Sequence, residues 1–545
     1  MVNLLGASAS TRIVITGTLL VAAASCSSSE LAGGPETLGT VAFSTSCNPS
    51  VQGEFDRALA LLHHMTYPAA QQAFQSVAER DPDCGIAYWG MAMTLFQPLW
   101  PTRPSDADLE RGWELMTQAS DRGGMTVRED RFIAAGEAFF DPSGSPDYWT
   151  RIERWAEATT AAYEADPKDL ESAAFFALAH LATSARSEEP ATRNGQAAEV
   201  LLTILAEEPT HPGAVHYTIH ANDFNGRERE SLGVVRRYHE IAPLNPHALH
   251  MPTHIFVRLG EWGDVIEWNR RAAEAALAQR VGPSGEYVWD EYPHAVEYEV
   301  YAHLQQGNDE AAKALIQTLA ETPDLQPSFK TAFHLASTAA RYTVERQAWE
   351  EAAQLPARQP SSLDWDRFPW PEAVVWYARG LGAAHGGSEA TVEESLEHLA
   401  SLWARATQAG EFANQIKILE LEVQGWSAMK QGDPGRAVAL LNEAVALENL
   451  TPKHAVTPGA TLPAAEVLGD LYMALGETES ARDAYAASNI RVPGRLNTLL
   501  GLARTSVALS DTASARVYYS EIASRTTEGS DRPGIEEARA FPGGG

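Results

Sequence analysis

Cysteine and positive charge are both scarce in this chain, and each shortage removes a class of protein. Three cysteines in 545 residues cannot staple a disulfide-rich scaffold, and without a C-x-x-C pair there is no zinc ribbon or dithiol redox site. Lysine and arginine number 41 against 72 aspartates and glutamates, giving a net charge of −31 with no basic run to offset it. Such a surface repels phosphate backbones and anionic headgroups, which argues against nucleic acid as a partner. Strictly alternating, strand-like segments are missing, as are a G-x-S-x-G elbow, a P-loop and a dinucleotide fingerprint. What remains is an ordinary folding composition, 44% hydrophobic and 21% charged, in a chain too long for one small core.

The beginning of the chain has its own logic. Arg12 is the only charge ahead of the apolar stretch Ile13–Val21, which runs into Ala22, Ala23, Ala24, Ser25 and Cys26. A short basic region, an apolar segment too short to span a bilayer and small residues at its end predict a signal peptide over residues 1–25 and export. Small residues directly before Cys26 resemble the bacterial lipobox, although Ala23 stands where leucine is usual. That resemblance implies lipidation of Cys26 and a membrane anchor in the cell envelope, facing the periplasm; a plain secretory signal is the alternative. Residues 26–46 then read as a flexible tether, rich in serine and glycine at its start. Cys47 and Cys84 are left as a candidate disulfide in an exported chain, with two buried free thiols as the other option.

Alanine, leucine and glutamate dominate at helical spacing, so the fold class is all-α. The clearest unit is Leu468–Pro493, where Gly469, Tyr472, Ala481, Tyr485 and Pro493 fall at positions 8, 11, 20, 24 and 32 of a helix–turn–helix repeat. Ala503, Ser506, Ala515 and Tyr519 continue the pattern after the same 34-residue step (503 − 469 = 34; 519 − 485 = 34). Near the other end Ala58, Leu61, Ala70, Phe74 and Pro82 fit the same frame. The chain therefore resembles the tetratricopeptide (TPR) repeat family. The stretches Ala87–Gly90, His250–Phe256 and Lys453–Glu466 are further similar to a largely uncharacterised subset of bacterial TPR lipoproteins. The resemblance implies a superhelical solenoid of TPR-like hairpins over residues 47–526. Val281–Trp289 reads as a loop insertion and Leu355–Pro371 as a loop. Residues 527–545, with charge, proline and terminal glycines, read as a disordered tail.

Within that frame the pair His216/His220 recurs as His250/His254, each member displaced by one repeat (250 − 216 = 34; 254 − 220 = 34). Residues four apart share a helix face. In TPR proteins, positions 2, 5, 9, 12 and 13 of the first helix face the concave groove. The resemblance thus assigns His216, His220, Asp223, His247, His250, His254, Arg258, His294, Glu297 and Tyr301 to a histidine-rich groove. Two readings follow. One is a cell-envelope scaffold that binds a protein, a peptide or a small polar ligand in this groove. The other is a metal-binding protein or metal-dependent enzyme in which His216, His220, His250 and His254 converge on a first-row transition metal such as zinc. His294 and Glu297 would add a further ligand or a general base, and Asp223 and Glu297 would orient the imidazoles from behind. No zinc-protease signature accompanies the pairs, and no reaction is implied.

Overall fold

The computed structural model describes residues 37–541 apart from 42, 101–102, 185, 225, 410–411 and 531. The expected signal peptide and Cys26 lie outside the described residues. Consecutive helices pack on one another along the whole described chain, as Gln52–His63 does on Tyr67–Arg80 and Ala464–Leu475 on Thr478–Arg491. The only strands among the described residues are Arg280–Val281 and Tyr287–Val288, a short antiparallel pair inside the expected loop insertion. The protein is an all-α helical-repeat structure.

The hairpins form for local reasons. Ser105 and Thr126 start their helices with capping boxes completed by Asp108 and Glu129, which satisfy backbone donors that the first turn leaves unpaired. Gly260 and Gly476 end theirs in the left-handed conformation, where a side chain is costly. Between the helices of one hairpin the aromatic position sits directly on the small position: a Cβ on Gly469 would lie 2.7 Å from the ring of Tyr485. The sequence frame of a small residue at 8 and an aromatic at 24 is therefore a packing contact.

Three expectations need correction. The segment read as tether is packed from Leu38 onward: Leu38 and Phe43 are buried, and the Phe43 ring meets Phe55 and Phe132 at 5.4 and 5.0 Å. Aromatic burial of this kind outweighs the entropy of a linker. The tail read as disordered contains the helix Pro533–Ala540. Its Ile535 and Ala538, three residues apart, are buried, and Arg532 clamps Asp309 (Nε to Oδ2 2.9 Å). The third correction concerns the groove. The C-terminal hairpins return onto the middle ones, with Trp262 Nε1 donating to Gly494 O at 3.1 Å, Arg525 Nη1 to Gly260 O at 3.1 Å, and Thr527 N to Gln306 O at 2.8 Å. The segment Thr451–Pro463 enters the space enclosed. Tyr298 Oη donates to Ala455 O (3.2 Å), and Arg341 donates to Ala460 O and to Thr457 Oγ1 (both 2.8 Å). The concave side is therefore partly occupied by the chain itself.

Cys47 and Cys84 are joined by a disulfide, their Cα atoms 4.8 Å apart. It pins the N-terminal segment to the start of the helix Gly85–Met93.

Candidate metal centre

The helix Pro212–Asn222 carries His216 and His220, and His211 caps its start by accepting from Ala214 N. His247 and His250 sit on Pro246–His250, capped by Asn245, and His254 on Pro252–Leu259. Met251 between the last two is itself right-handed helical, so His250 and His254 keep the one-face relation of i and i+4. Pro252 merely removes one backbone donor. His294 comes from Glu291–Gln305, which packs against Pro246–His250.

These side chains are interior except for His220, which is half-buried. His216 and His250 have no exposed surface, and His247, His254 and His294 retain at most 4%. Nor do the four expected histidines form one group. His216 and His220 gather with His247, and His250 and His254 gather with His294; within each triad one donor atom per residue lies within 4.8 Å of the other two. His247 was expected in the groove but not as a ligand, whereas His294 was expected there as an added ligand or general base.

In the first triad the hydrogen-bond partners of His216 and His247 fix where their protons sit. His216 Nδ1 lies 2.7 Å from His63 O, a carbonyl in the last turn of the helix Gln52–His63 that can only accept. His247 Nδ1 lies 2.9 Å from Glu291 Oε2. Both Nδ1 atoms therefore carry the hydrogen, and both Nε2 atoms carry the lone pair. The Nε2 atoms of His216, His220 and His247 are buried without a hydrogen-bond partner among the described residues. Glu291 is held in turn by the Lys330 ammonium. Burial opposes its ionisation, but Lys330 and His247 keep its carboxyl well below the usual range.

The second triad obeys the same logic. Asn269 Nδ2 donates to Val265 O at 2.7 Å, which turns Oδ1 toward His250 Nδ1, also at 2.7 Å. His254 Nδ1 faces Asp223 Oδ2 at 3.1 Å. His334 Nδ1 gives its hydrogen to Glu297 Oε2 (2.5 Å), so its Nε2 accepts from His294 Nδ1 (3.1 Å). Every Nδ1 is thus a donor and every Nε2 a free lone pair. Glu297 acts one residue removed, through His334, and also accepts from Ser337 and Arg341.

Burial, then the neighbouring imidazoles, pushes His216 and His220 well below the ordinary imidazole value, and His250 and His294 likewise. Burial brings His254 down to about 4. These rings are neutral at pH 7, the form that ligates a metal.

A cavity of about 810 Å³ opens beside the first triad, with His220, Asp223, Arg258, Lys453 and His454 on its wall among apolar residues such as Trp370. Lys453 reaches Asp223 at 2.9 Å. Burial opposes the charge of Asp223, yet Lys453 and Arg258 hold its carboxyl well below the usual range. Asp223 therefore joins the second triad to the wall of the chamber. Lys453, His334, Asn269 and Glu291 were not expected at the site. Lys453 stood in a noticed sequence stretch, but nothing in its spacing tied it to the histidines.

Tyr301 departs from the expected groove. Its hydroxyl accepts from Arg495 Nη1 at 2.9 Å, in a separate buried knot where Arg495 also binds Glu345 and Glu466. Two other donor groups fail as metal sites. Cys47 and Cys84 beside Asp81 are oxidised. In His63/Glu171/His211, His211 Nδ1 accepts from Ala214 N at 3.1 Å. Its hydrogen therefore sits on Nε2, which faces Glu171 at 3.4 Å.

No family description and no curated protein match the chain. Among solved structures it is similar to human IFIT1, seen as a dimer with m7Gppp-AAAA, at 13% identity and TM-score 0.38, covering 80% of this chain and 89% of that one. It is also similar to a chain of the APC/C hetero-tetramer Cut9–Hcn1, at 12% identity and TM-score 0.33, covering 90% of both chains. A third similarity is to the Naa15/Naa10 complex bound to HypK-THB, at 11% identity and TM-score 0.23, covering 90% and 71%. These likenesses are loose, and the repeat architecture rests on the chain's own hairpins.

Proposed function

We propose that the protein is a metalloprotein of the cell envelope, exported and anchored through lipid on Cys26, whose helical repeats hold a first-row transition ion on His216, His220 and His247. One observation carries this reading: three buried Nε2 atoms that lack partners belong to three imidazoles gathered at one point. Leaving a buried polar atom unsatisfied costs about 1–3 kcal/mol, and an ion recovers that cost for all three at once. The supports behind them fit as well, because a metal-bound imidazole characteristically donates its other N–H to a carbonyl or carboxylate, as His216 does to His63 O and His247 to Glu291. Three imidazoles leave a fourth position open, the arrangement of sites that act on a ligand rather than only brace a fold.

The chamber beside His220 suits a small polar ligand. Its volume of about 810 Å³ lies within the range of small-molecule sites, whereas the Thr451–Pro463 segment already takes up part of the interior, which argues against a groove for a folded protein or a long peptide. The net charge of −31 argues against nucleic acid. The test is a titration of metal-stripped mature protein with Co²⁺, followed by visible absorption and elemental analysis. A tetrahedral Co²⁺ spectrum that disappears in His216→Asn and in His247→Asn is expected. A folded parent protein that takes up no ion at micromolar concentrations would overturn the reading.

A further inference from the structure

Resting on that reading, we infer that His250, His254 and His294 hold a second ion and that the two triads form one dinuclear centre bridged by a single small ligand. The observation is the meeting of His250 and His254. Their Nε2 atoms face each other at 3.0 Å, and each Nδ1 is committed to an oxygen that only accepts, Asn269 Oδ1 or Asp223 Oδ2. Two lone pairs at that distance repel unless a cation lies between or beside them. The third donor completes the set, since His294 gives its Nδ1 hydrogen to His334 and keeps its Nε2 lone pair.

The two triads are in contact. The rings of His220 and His254 are 6.0 Å apart, and those of His247 and His250 are 6.2 Å apart. Metal–imidazole bonds of about 2.0–2.1 Å directed inward from both triads bring the ions within reach of the roughly 3.5–4 Å separation of two-metal sites. Each ion then has three imidazoles and an open position, and the two open positions can share one donor. A hydroxide or another ligand of one or two heavy atoms fits there. The chamber at His220 is the side from which it, and any organic substrate, would arrive. Asp223 couples the elements: it orients His254 and binds Arg258 and Lys453 on the chamber wall.

The second triad has hydrogen-bond supports of its own. Carboxylates back both, Glu291 behind His247 and Glu297 behind His294 by way of His334. Six imidazoles with neutral or carboxylate partners and no thiolate suit copper, zinc, nickel or iron.

Copper provides the decisive readout. Metal-stripped full-length mature protein is loaded with Cu²⁺, the bound copper is counted by elemental analysis, and the spins are counted by electron paramagnetic resonance. Two coppers per chain are expected, with far fewer than two spins, because a bridging ligand couples the ions. His250→Asn with His254→Asn should bind one copper with its full spin, and circular dichroism should verify that it remains helical. A parent protein that binds one copper, lost on His216→Asn and retained on His250→Asn, would overturn the second site while leaving the first intact. Two coppers with two uncoupled spins would overturn the bridge. A folded parent that binds none would overturn the underlying metal reading itself.

Discussion

Arg495 offers a sharp test of how the superhelix closes. It is fully buried, and all five of its N–H donors are used. Nη1 reaches Glu345 Oε1 at 2.8 Å and Tyr301 Oη at 2.9 Å, Nη2 reaches Glu345 Oε2 at 3.1 Å and Glu466 Oε1 at 2.9 Å, and Nε reaches Glu466 Oε2 at 3.1 Å. Arg495→Met removes the only cation of this cluster and leaves two carboxylates facing each other in the interior. Breaking a buried ion pair on one side costs about 3–5 kcal/mol, whereas removing every charge together is often close to neutral. Adding Glu345→Gln and Glu466→Gln to Arg495→Met should therefore return at least half of the loss. Unfolding of a long repeat array is not assured to be two-state, so local opening measured by amide hydrogen exchange is the suitable assay. Opening free energies should fall in both Leu496–Ala508 and Glu291–Gln305, because Tyr301 lies 194 residues before Arg495 and the knot joins the two segments. A change below about 1 kcal/mol, or one confined to Leu496–Ala508, would refute the idea that this ion cluster holds the closure.

The disulfide between Cys47 and Cys84 closes a loop of 38 residues (84 − 47 + 1). In the chain-entropy model it contributes about 4 kcal/mol, so the double Cys→Ser protein should open more readily at Leu38–Phe55, and two reactive thiols in unfolded, unreduced protein would refute the bond. Asp470, whose hydroxyl partner is Tyr485 at 2.5 Å, has its carboxyl pushed up to about 7 from an ordinary 3.8 by burial and by Glu466. The folded state thus holds a proton that the unfolded state releases, and stability falls as pH rises from about 4 to about 7. Asp470→Asn should match the parent protein near pH 4 and exceed it above pH 7 by about 2–4 kcal/mol; a pH-independent difference in thermal midpoints would sink the argument. Cys26→Ser should move the protein from the membrane fraction to the soluble one or leave it unprocessed, and identical fractionation of the two would count against the anchor.

Much of the architecture could be read from the chain because it is encoded locally. Gly469 against Tyr485, and the same step to Ala503 and Tyr519, follow from how two helices of one hairpin must touch, and 34 residues is simply the length of that unit. The recurrence of His216/His220 at His250/His254 followed from the same register. Both pairs stand out in the sequence by their four-residue spacing and their 34-residue recurrence. His247 and His294 could be assigned to the inner surface, and His294 to an added ligand, but neither to the pair it completes, since they stand 27 and 40 residues beyond those pairs (247 − 220; 294 − 254). No helical or repeat period contains those intervals. The packing of Leu38–Phe43 and the helix Pro533–Ala540 escaped the composition for a related reason: composition averages over a window, whereas Phe43 or Ile535 needs only one pocket.

The sequence by itself determined the helices, their hairpin pairing and the inner face on which the histidines stand, because each depends on neighbours within about one repeat. Only the tertiary structure decided that this face is closed. Closure sums small rotations over many hairpins, and contacts such as Trp262 with Gly494 and Arg341 with Ala460 join residues 232 and 119 positions apart. It also decided which nitrogen keeps its lone pair in every imidazole of the two triads but His220. That choice belongs to His63 O, Glu291, Asn269, Asp223 and His334, partners brought up by other elements, and it turns a repeated pair of histidines into two triads.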